Sequence, residues 1–356
     1  MRILQLIDSL DSGGAERMAV NYANMLSQNH TSFICATRAE GLLKQAINKE
    51  VNFLFLDKKK TLDFKAIKRL HNYIKKHNIE IIHAHSTSFF FATLIKVFNR
   101  KTKLIWHDHY GNSEFLKHRE FKILKVCSYW FNNIISVNKV LKEWSENYLK
   151  CERVSVLNNF VIVNNNEIKE TVLKGENEKR IVCLANLRPQ KNHLMLLEAF
   201  KKIFAYNQEW TLHLVGKDQL DDYSSKLKEK IKSLKLKENV FIYGNKSDVH
   251  HILNQSSIGV LSSSSEGLPL SLLEYGLAKL AVVATDVGDC NKVITNNSEG
   301  TLVNPNDAEA FSKGVLKYIN NEGERKQAGE MLYKNVTNNF SAKKNLEQLI
   351  SIYNKA

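Results

Sequence analysis

The chain of 356 residues is 43% hydrophobic and 25% charged, a composition typical of a folded globular protein, which excludes a largely disordered chain. Its length exceeds what one compact core usually supports and predicts two domains. The formal net charge of +14 is uneven, since residues 1–165 contain 25 Lys and Arg against 14 Asp and Glu, whereas residues 166–356 contain 26 against 23. This basic first half favours an anionic partner such as a membrane surface, with lysine-rich solvent faces as the simpler alternative.

The sequence has neither the pattern of a membrane-spanning segment nor that of a disulfide framework. The apolar run at 89–98 is interrupted by Lys96, and no run reaches the length of a spanning helix, so we expect a cytoplasmic chain. The cysteines are odd in number, widely spaced and mostly within apolar runs, at positions 35, 127, 151, 183 and 290. This spacing favours reduced core thiols over disulfides or a zinc site.

Strand and helix patterns alternate along the first half of the chain. Residues 2–7 predict a strand, 8–14 a loop and 15–27 a helix. Further strands are predicted at 32–36, 51–56, 79–83, 104–106 and 134–137, and helices at 62–77 and 116–131. The alternation indicates a parallel, doubly wound sheet that binds ligands at the carboxyl ends of its strands.

Two glycines end the first loop. Gly13 and Gly14 let the backbone approach a ligand closely, and the helix that follows can offer free N–H groups to a phosphate. On its own, such a pair is most often an ordinary turn.

Histidines follow two of the predicted strands. His83 and His85 lie in Ile-Ile-His-Ala-His-Ser, and His107 and His109 lie in Ile-Trp-His-Asp-His-Tyr-Gly. A zinc site that includes Asp108 is one interpretation of the second motif. For His83, a buried residue bonded to the backbone is an equally simple interpretation.

Basic residues gather beside the helix predicted at 62–77. They are Lys58, Lys59, Lys60, Lys65, Lys68 and Arg69. The helix predicted at 116–131 is basic at first and then aromatic, so we expect both helices to face a membrane surface.

The helical and strand patterns weaken between 154 and 179, where residues 158–167 are rich in asparagine. We place the interdomain linker there and predict one domain at 1–165, a second at 175–340 and a C-terminal helix at 341–356. Strands of the second domain are predicted at 180–184, 210–215, 239–243 and 258–261.

A serine-rich loop joins the last of these strands to a helix predicted at 269–277, with Pro269 in its first turn. Glu266 precedes the helix and Glu274 lies inside it. We expect Glu266 at the mouth of a cleft and Glu274 deeper, with both carboxylates facing one ligand. The N-terminus of the helix favours anions and sugar hydroxyls.

This stretch, from Ser262 to Gly288, resembles the Glu-x7-Glu signature of retaining glycosyltransferases of family 4, which continues into a strand and Thr-Asp-Val-Gly as it does here. Residues 13–17, Gly-Gly-Ala-Glu-Arg, resemble the loop that lies against the donor diphosphate and the acceptor in many of these enzymes. Residues 185–191 are similar to the family's Gly-Arg-Leu-x-x-x-Lys, but Ala185 and Asn186 replace the glycine and the arginine.

The resemblance implies two Rossmann-like domains that face a central cleft, the GT-B type of fold, with the C-terminal helix packing back on the first domain. It implies transfer of a sugar from a nucleotide diphosphate sugar, UDP- or GDP-linked, to a lipid-linked or oligosaccharide acceptor, without a metal or another cofactor. It also implies a setting in bacterial surface polysaccharide synthesis, on the inner face of the cytoplasmic membrane. We expect no nucleic-acid partner.

The same resemblance assigns roles to particular residues. Catalytic contacts fall to His107, with His109 as its rival, and to Glu266, which holds the transferring sugar. Glu274 binds the ribose. Arg188 and Lys191 together supply the positive charge that is missing because Asn186 replaces the family's arginine. The remaining assignments are donor contacts by Gly13, Gly14, Gly267, Leu268 and Pro269 and acceptor-side contacts by Glu16, Arg17 and His109.

Several alternatives remain open at this point. They are a sugar-nucleotide epimerase or a phosphorylase of the same architecture, a catalytically inactive glycosyltransferase-like partner subunit, and a nucleic-acid-binding protein. The sequence pI of about 9.3 suggests the last, but no recognised nucleic-acid-binding module accompanies the basic residues.

Overall fold

The computed structural model describes residues 1–11, 13–162 and 168–356. The chain forms two compact units, one of residues 1–160 with 342–356 and the other of residues 161–341. Residues 163–167 of the predicted linker lie outside the described residues.

The first unit is built on a parallel sheet of seven strands in the order β3-β2-β1-β4-β5-β6-β7. Its elements in chain order are β1 (Arg2–Ser9), α1 (Gly14–Leu26), β2 (Thr31–Ala39), β3 (Asn52–Phe55), α2 (Phe64–Lys76), β4 (Ile81–His85), α3 (Phe89–Phe98), β5 (Lys103–Asp108), α4 (Lys122–Cys127), β6 (Asn133–Ser136), α5 (Lys139–Tyr148) and β7 (Val154–Val156). The central strands are continuous runs of buried residues, as expected for a parallel sheet covered on both faces.

The second unit has a parallel sheet of six strands in the order β10-β9-β8-β11-β12-β13. Its elements are β8 (Arg180–Leu184), α6 (His193–Phe204), β9 (Thr211–Val215), α7 (Asp222–Ser233), β10 (Val240–Gly244), α8 (Val249–Leu253), β11 (Ile258–Leu261), α9 (Leu270–Leu277), β12 (Ala281–Thr285), α10 (Cys290–Val293), β13 (Thr301–Val303), α11 (Ala308–Asn320) and α12 (Glu322–Asn339). The predicted pair of parallel α/β domains is therefore confirmed.

The last helix, α13 (Ala342–Lys355), belongs to the first unit. Lys103 at the start of β5 donates to the carbonyl of Tyr353 at 3.3 Å, and Tyr22 in α1 donates to Asn345 Oδ1 at 2.9 Å. Arg153 donates to the carbonyl of Lys355. These contacts confirm that the C-terminal helix packs on the first domain.

One predicted helix is wrong. Residues 116–131 form two 3₁₀ turns, Ser113–His118 and Ser128–Trp130, on either side of the short α4. The break falls at Arg119, whose backbone is extended and whose guanidinium binds Asp108. Satisfying a buried charge outweighs local helical propensity here.

Two three-residue strands, β7 and β13, were not predicted, because so short a run carries little periodicity. All five cysteines are buried and free, so the prediction of reduced core thiols is confirmed. No helix among the described residues has both the length and the hydropathy needed to cross a bilayer.

Candidate active site

In the second unit, the loop after β11 carries a buried carboxylate. Glu266 is 5% exposed, and its Oε1 accepts from Lys191 Nζ at 2.5 Å and from Ser263 Oγ at 2.6 Å. The side chain of Lys191 is 22% exposed. A charged donor and a hydroxyl on one carboxylate oxygen fix the orientation of Glu266.

Lys191 reaches this position because two loops are joined by hydrogen bonds. It ends a 3₁₀ turn that begins at Pro189, and its carbonyl accepts from Ser262 Oγ at 2.8 Å. Gln190 accepts from the Ser264 N–H at 2.8 Å and donates to the carbonyl of Ser265 at 2.7 Å. The serines that follow β11 therefore hold the turn after β8, and Lys191 with it.

Arg188, at the start of the same turn, behaves differently. Its backbone is extended and its side chain is exposed, and no hydrogen bond or ion pair joins that side chain to another described residue. Arg188 is therefore a solvent-facing cation beside the Lys191–Glu266 pair.

The backbone around Glu266 is held by a glycine from another loop. Gly288 has a φ of +55°, and a Cβ at this position would lie 2.2 Å from the carbonyl oxygen of Glu266. The carbonyl of Gly267 accepts from the Asp289 N–H at 2.8 Å. The Thr-Asp-Val-Gly segment is thus a close backbone support for the residues at 266–267.

Helix α9 begins at Leu270, with Pro269 as its N-cap residue rather than inside its first turn. Leu268 and Pro269 are buried next to Glu266. Glu274 is partly exposed, so Glu266 is the more buried of the two carboxylates within this unit. The reason is the serine loop, which folds Glu266 inward against Lys191.

Asn186 has a structural role at the position where the family pattern has arginine. Its Oδ1 accepts from the Lys217 N–H at 2.8 Å, and the Leu187 N–H donates to the Lys217 carbonyl at 2.9 Å. Asn186 therefore ties the loop after β8 to the loop after β9.

In the first unit, Gly13 and Gly14 lie where β1 leads into α1. Gly13 is the extended N-cap residue and Gly14 is the first helical residue. A Cβ on Gly13 would lie 2.2 Å from Glu16 Oε2, so the carboxylate of Glu16 occupies the space beside the loop. Arg17 follows in the same turn, and its N–H donates to the Gly13 carbonyl at 2.9 Å.

Four histidines pack together at the carboxyl ends of β4 and β5. His83, His85 and His107 lie within these strands and are 0% exposed, whereas His109 follows β5 and is partly exposed. We call His83 and His107 the first pair, with Nε2 and Nδ1 3.2 Å apart, and His85 and His109 the second pair, with Nδ1 and Nε2 3.0 Å apart. The rings of His107 and His109 stack at 4.0 Å.

Burial keeps these imidazoles neutral. Desolvation lowers the pKa of His83 and of His109 to about 3, and it lowers the pKa of His85 and His107 well below the usual range. Positive charge on any one ring would also repel charge on its neighbours. Because His107 is buried under His109, His109 is the member of the cluster that can reach a ligand in this conformation.

Asp108 is already engaged and does not serve as the carboxylate ligand of a zinc site. Asp108 accepts two hydrogen bonds from Arg119, at 2.7 and 2.9 Å, and that guanidinium lies over the rings of Tyr110 and Trp144. Among the described residues, the group with the spacing of a metal site is instead His83, His85 and His107, whose ring nitrogens lie within 4.8 Å of one another. Hydrogen bonds already engage nitrogens on all three rings, so we assign no metal there.

Some residues of these clusters were not predicted from the sequence. The sequence predicts Ser263 only as part of a loop, although its place three residues before Glu266 is a weak signal. Gln5 and Tyr353 contact the histidine cluster from β1 and α13, and their separation of 348 residues hides this contact from any local pattern.

The chain matches known protein families over most of its length. The family Glycosyltransferase Family 4 matches residues 12–165, and the family Glycosyl transferases group 1 matches residues 164–335.

Curated relatives are transferases. One from Campylobacter jejuni, GalNAc-alpha-(1->4)-GalNAc-alpha-(1->3)-diNAcBac-PP-undecaprenol alpha-1,4-N-acetyl-D-galactosaminyltransferase, is 27% identical over 92% of this chain and 91% of its own length. Another from Escherichia coli, UDP-Gal:alpha-D-GlcNAc-diphosphoundecaprenol alpha-1,3-galactosyltransferase, is 24% identical over 82% of this chain and 79% of its own.

Among solved structures, the chain is similar to Anabaena HepE in complex with UDP and glucose, with a TM-score of 0.83 at 17% identity. The match covers 100% of both chains. That likeness concerns the fold, which is of the GT-B type. The two family matches together span residues 12–335. The chain therefore belongs to glycosyltransferase family 4, the glycosyl transferases of group 1.

Proposed function

We propose that the protein is a retaining, metal-independent glycosyltransferase that moves a sugar from a UDP- or GDP-sugar to a lipid-linked acceptor glycan during bacterial surface polysaccharide assembly. The observation that carries the proposal is the buried Lys191–Glu266–Ser263 cluster beside the N-terminus of α9. The named relatives act on glycans linked through diphosphate to undecaprenol, which supports the class of acceptor.

Lys191 would bind the donor diphosphate while remaining against Glu266. An ammonium group has three N–H donors, and one of them is directed at Glu266 Oε1. The other two can meet phosphate oxygens, and the exposed Arg188 adds a second cation. Together with the N–H groups at the start of α9, they would offset the negative charge that grows on the leaving diphosphate.

The two glutamates have different environments and therefore different proposed roles. Glu266, fixed by Lys191 and Ser263, would accept hydrogen bonds from hydroxyls of the transferring sugar. Glu274, partly exposed one turn into α9, would bind the ribose hydroxyls. Retention would follow from departure of the diphosphate and attack of the acceptor hydroxyl on the same face, with the leaving phosphate as base.

We further propose that the first unit docks on the cytoplasmic face of an anionic membrane. Four lysines, Lys59, Lys60, Lys65 and Lys68, are exposed around the start of α2. One predicted member does not belong to this group, because Lys58 is 5% exposed with its ammonium over the ring of Phe91. Arg69 is exposed, and its guanidinium donates to the carbonyls of residues 55 and 56.

Apolar side chains on α4, which packs against α3 as α2 does, support the membrane proposal. On the outer side of α4 and the turn after it, Ile123, Val126 and Tyr129 are 62%, 65% and 68% exposed. Lys122 and Lys125 are interleaved with them and are exposed as well. Lysines that alternate with exposed apolar and aromatic side chains are the pattern of an interfacial membrane contact.

The proposed transfer is tested by incubating the purified protein with UDP-, GDP- and ADP-sugars and a polyprenyl diphosphate-linked oligosaccharide. Released nucleotide identifies the donor, and the anomeric configuration of the product, read by NMR, tests retention. An α-linked donor should give an α-linked product. An inverted anomer would overturn the retaining mechanism, and no nucleotide release from any donor would favour the inactive partner subunit.

A further inference from the structure

Gln5, in the middle of β1, is a buried amide placed between two hydrogen-bonded branches. Its Oε1 lies 2.8 Å from His85 Nε2, and its Nε2 donates to the hydroxyl of Tyr353 at 3.4 Å. An amide has one accepting end and one donating end, so it imposes opposite directions on the two groups it contacts. The hydrogen positions in both branches follow from that polarity.

The branch through Tyr353 leads to the first pair. Because the Tyr353 hydroxyl accepts from Gln5, its own proton is directed to His83 Nδ1, 2.7 Å away. A neutral imidazole whose Nδ1 accepts carries its proton on Nε2, and this N–H of His83 donates to His107 Nδ1 at 3.2 Å. His107 then carries its proton on Nε2.

The branch through the Gln5 carbonyl leads to the second pair. His85 Nε2 must donate to Gln5 Oε1, so His85 Nδ1 accepts from His109 Nε2 at 3.0 Å. His109 is then also the Nε2–H tautomer, with a lone pair on Nδ1. The neutrality on which both branches depend follows from burial, which lowers the pKa of His83 and of His109 to about 3.

The two branches end differently. His107 Nε2 is buried and has no hydrogen-bond partner among the described residues. No hydrogen bond joins His109 Nδ1 to another described residue either, and His109 is partly exposed. The network therefore ends in one N–H donor and one lone pair on stacked rings whose centres are 4.0 Å apart.

We propose that Gln5 is a positioning residue that holds His107 and His109 as Nε2–H tautomers. Its NH2 group acts on the first pair through the hydroxyl of Tyr353, and its carbonyl acts on the second pair directly. The functional part rests on the proposed glycosyl transfer: His109 presents an acceptor for a substrate hydroxyl, while the Nε2–H of His107 stays buried beneath it. The C-terminal helix thereby contributes Tyr353 to the site of the first unit.

The tautomers can be read directly from long-range ¹H–¹⁵N NMR spectra of the full chain labelled with ¹⁵N-histidine, at pH 7.5. Each of the four rings should be at least about tenfold in favour of Nε2–H, because the other tautomer leaves buried groups without partners. A protonated Nδ1 on His107 or His109 would overturn the proposal.

Two substitutions separate the branches. Tyr353→Phe should reduce the tautomer preference of the first pair at least threefold and leave the second pair unchanged, whereas Gln5→Met should weaken both. Tyr22→Phe is the matched control, since its ring lies 5.7 to 6.4 Å from three of the histidines but its hydroxyl binds Asn345. Unchanged spectra in Tyr353→Phe would also overturn the proposal.

Activity is measured separately. Tyr353→Phe should lower kcat at least about tenfold without a matching change in donor affinity, while Tyr22→Phe should not. The protein could lack transferase activity while its histidine tautomers still respond to the substitutions as expected. That result would support the tautomer assignment and contradict only the proposed function.

Discussion

Lys191 Nζ lies 2.5 Å from Glu266 Oε1, and this contact joins the loop after β8 to the loop after β11. With side-chain exposures of 22% and 6%, the pair is largely withdrawn from water. Coulomb attraction between such groups is strong, but so is the cost of desolvating them. The pair therefore fixes geometry more than it adds net stability, which gives its two members distinguishable mutational effects.

Replacing Lys191 by Met should remove the charge that compensates Glu266 and destabilise the protein by about 3 kcal/mol, near the lower end for a buried pair because Lys191 keeps some solvent contact. Urea unfolding measures this. The double variant Lys191→Met/Glu266→Gln should regain part of the loss, since no unpaired charge remains buried. Equal stability of the single and double variants would contradict the coupling.

Replacing Glu266 by Gln should lower turnover more than donor affinity. The amide keeps the shape and an accepting oxygen for Lys191 and Ser263, so the loop should persist, but the negative charge toward the transferring sugar is lost. Steady-state kinetics give kcat, and calorimetry with the nucleotide sugar gives Kd. Near-normal turnover would exclude Glu266 from its proposed role.

Replacing Glu274 by Ala should weaken nucleotide-sugar binding, because each hydrogen bond to a charged group contributes about 1.5–3 kcal/mol, or roughly tenfold to a hundredfold in Kd. The matched control is Glu330→Ala, which removes a half-exposed carboxylate paired with Lys279 at 2.8 Å. Donor affinity that is unchanged in both variants would remove Glu274 from the site.

Stability should fall as the pH decreases below about 6.5. Burial lowers the pKa of His83, His109 and His213 to about 3 and that of His193 to about 4. These groups bind protons in the unfolded chain near pH 6.5 but not in the folded one, so their contribution is complete above pH 6.5 and is lost as the pH falls toward 3 to 4.

Each such histidine contributes a slope of up to about 1.4 kcal/mol per pH unit inside that range. The free energy of unfolding, measured with urea at pH 5 to 8, should be nearly flat above pH 7 with respect to these groups and steep below pH 6. A free energy that does not change between pH 7 and pH 5 would mean that the histidines are accessible to protons in the folded state.

The sequence predicted those parts of the site that depend on residues close together in the chain. Glu266 and Glu274 are eight residues apart on one loop and helix, and Lys191 follows a recognisable strand, so the sequence alone indicates that each lies near a strand end. The relative burial of the two glutamates could not be inferred, because it depends on Ser263 and on a lysine 75 residues away.

Long-range contacts account for the other differences between sequence and structure. Arg119 breaks a helix that periodicity predicts, because Asp108 and two aromatic rings offer its charge a buried partner. Lys58 resembles its exposed neighbours in sequence but packs over Phe91. Helical propensity is a matter of tenths of a kcal/mol per residue, so a single buried ion pair can override it.

Activity should survive treatment with a chelator. The proposed diphosphate ligands are Lys191, Arg188 and the N-terminus of α9, and none of them needs a metal ion. The assay is donor turnover after dialysis against excess EDTA, with a protein sample dialysed without EDTA as the control. If activity is lost and Zn²⁺ restores it, the result would contradict metal independence and support a metal site at His83, His85 and His107.

The first unit should bind anionic lipid vesicles at low salt. Each exposed lysine near an anionic leaflet contributes about 1 kcal/mol, and the attraction decays over a Debye length of about 8 Å at physiological ionic strength. Changing Lys59, Lys60, Lys65 and Lys68 to Glu should therefore abolish co-sedimentation with vesicles while leaving nucleotide binding intact. The matched control makes the same charge change on exposed lysines of the second unit, Lys226, Lys232, Lys235 and Lys237.

The apolar residues predict a second, separable component. Ile123, Val126 and Tyr129 should enter the membrane interface. Because salt does not screen the burial of apolar surface, part of the vesicle binding should persist at 0.5 M salt. The variant with serine at all three positions should lose this salt-resistant part. Substitution of these exposed side chains should leave the free energy of unfolding nearly unchanged, which excludes misfolding as the cause. Wild-type protein that stays in the supernatant at low salt would contradict membrane docking and favour an acceptor that is free in solution.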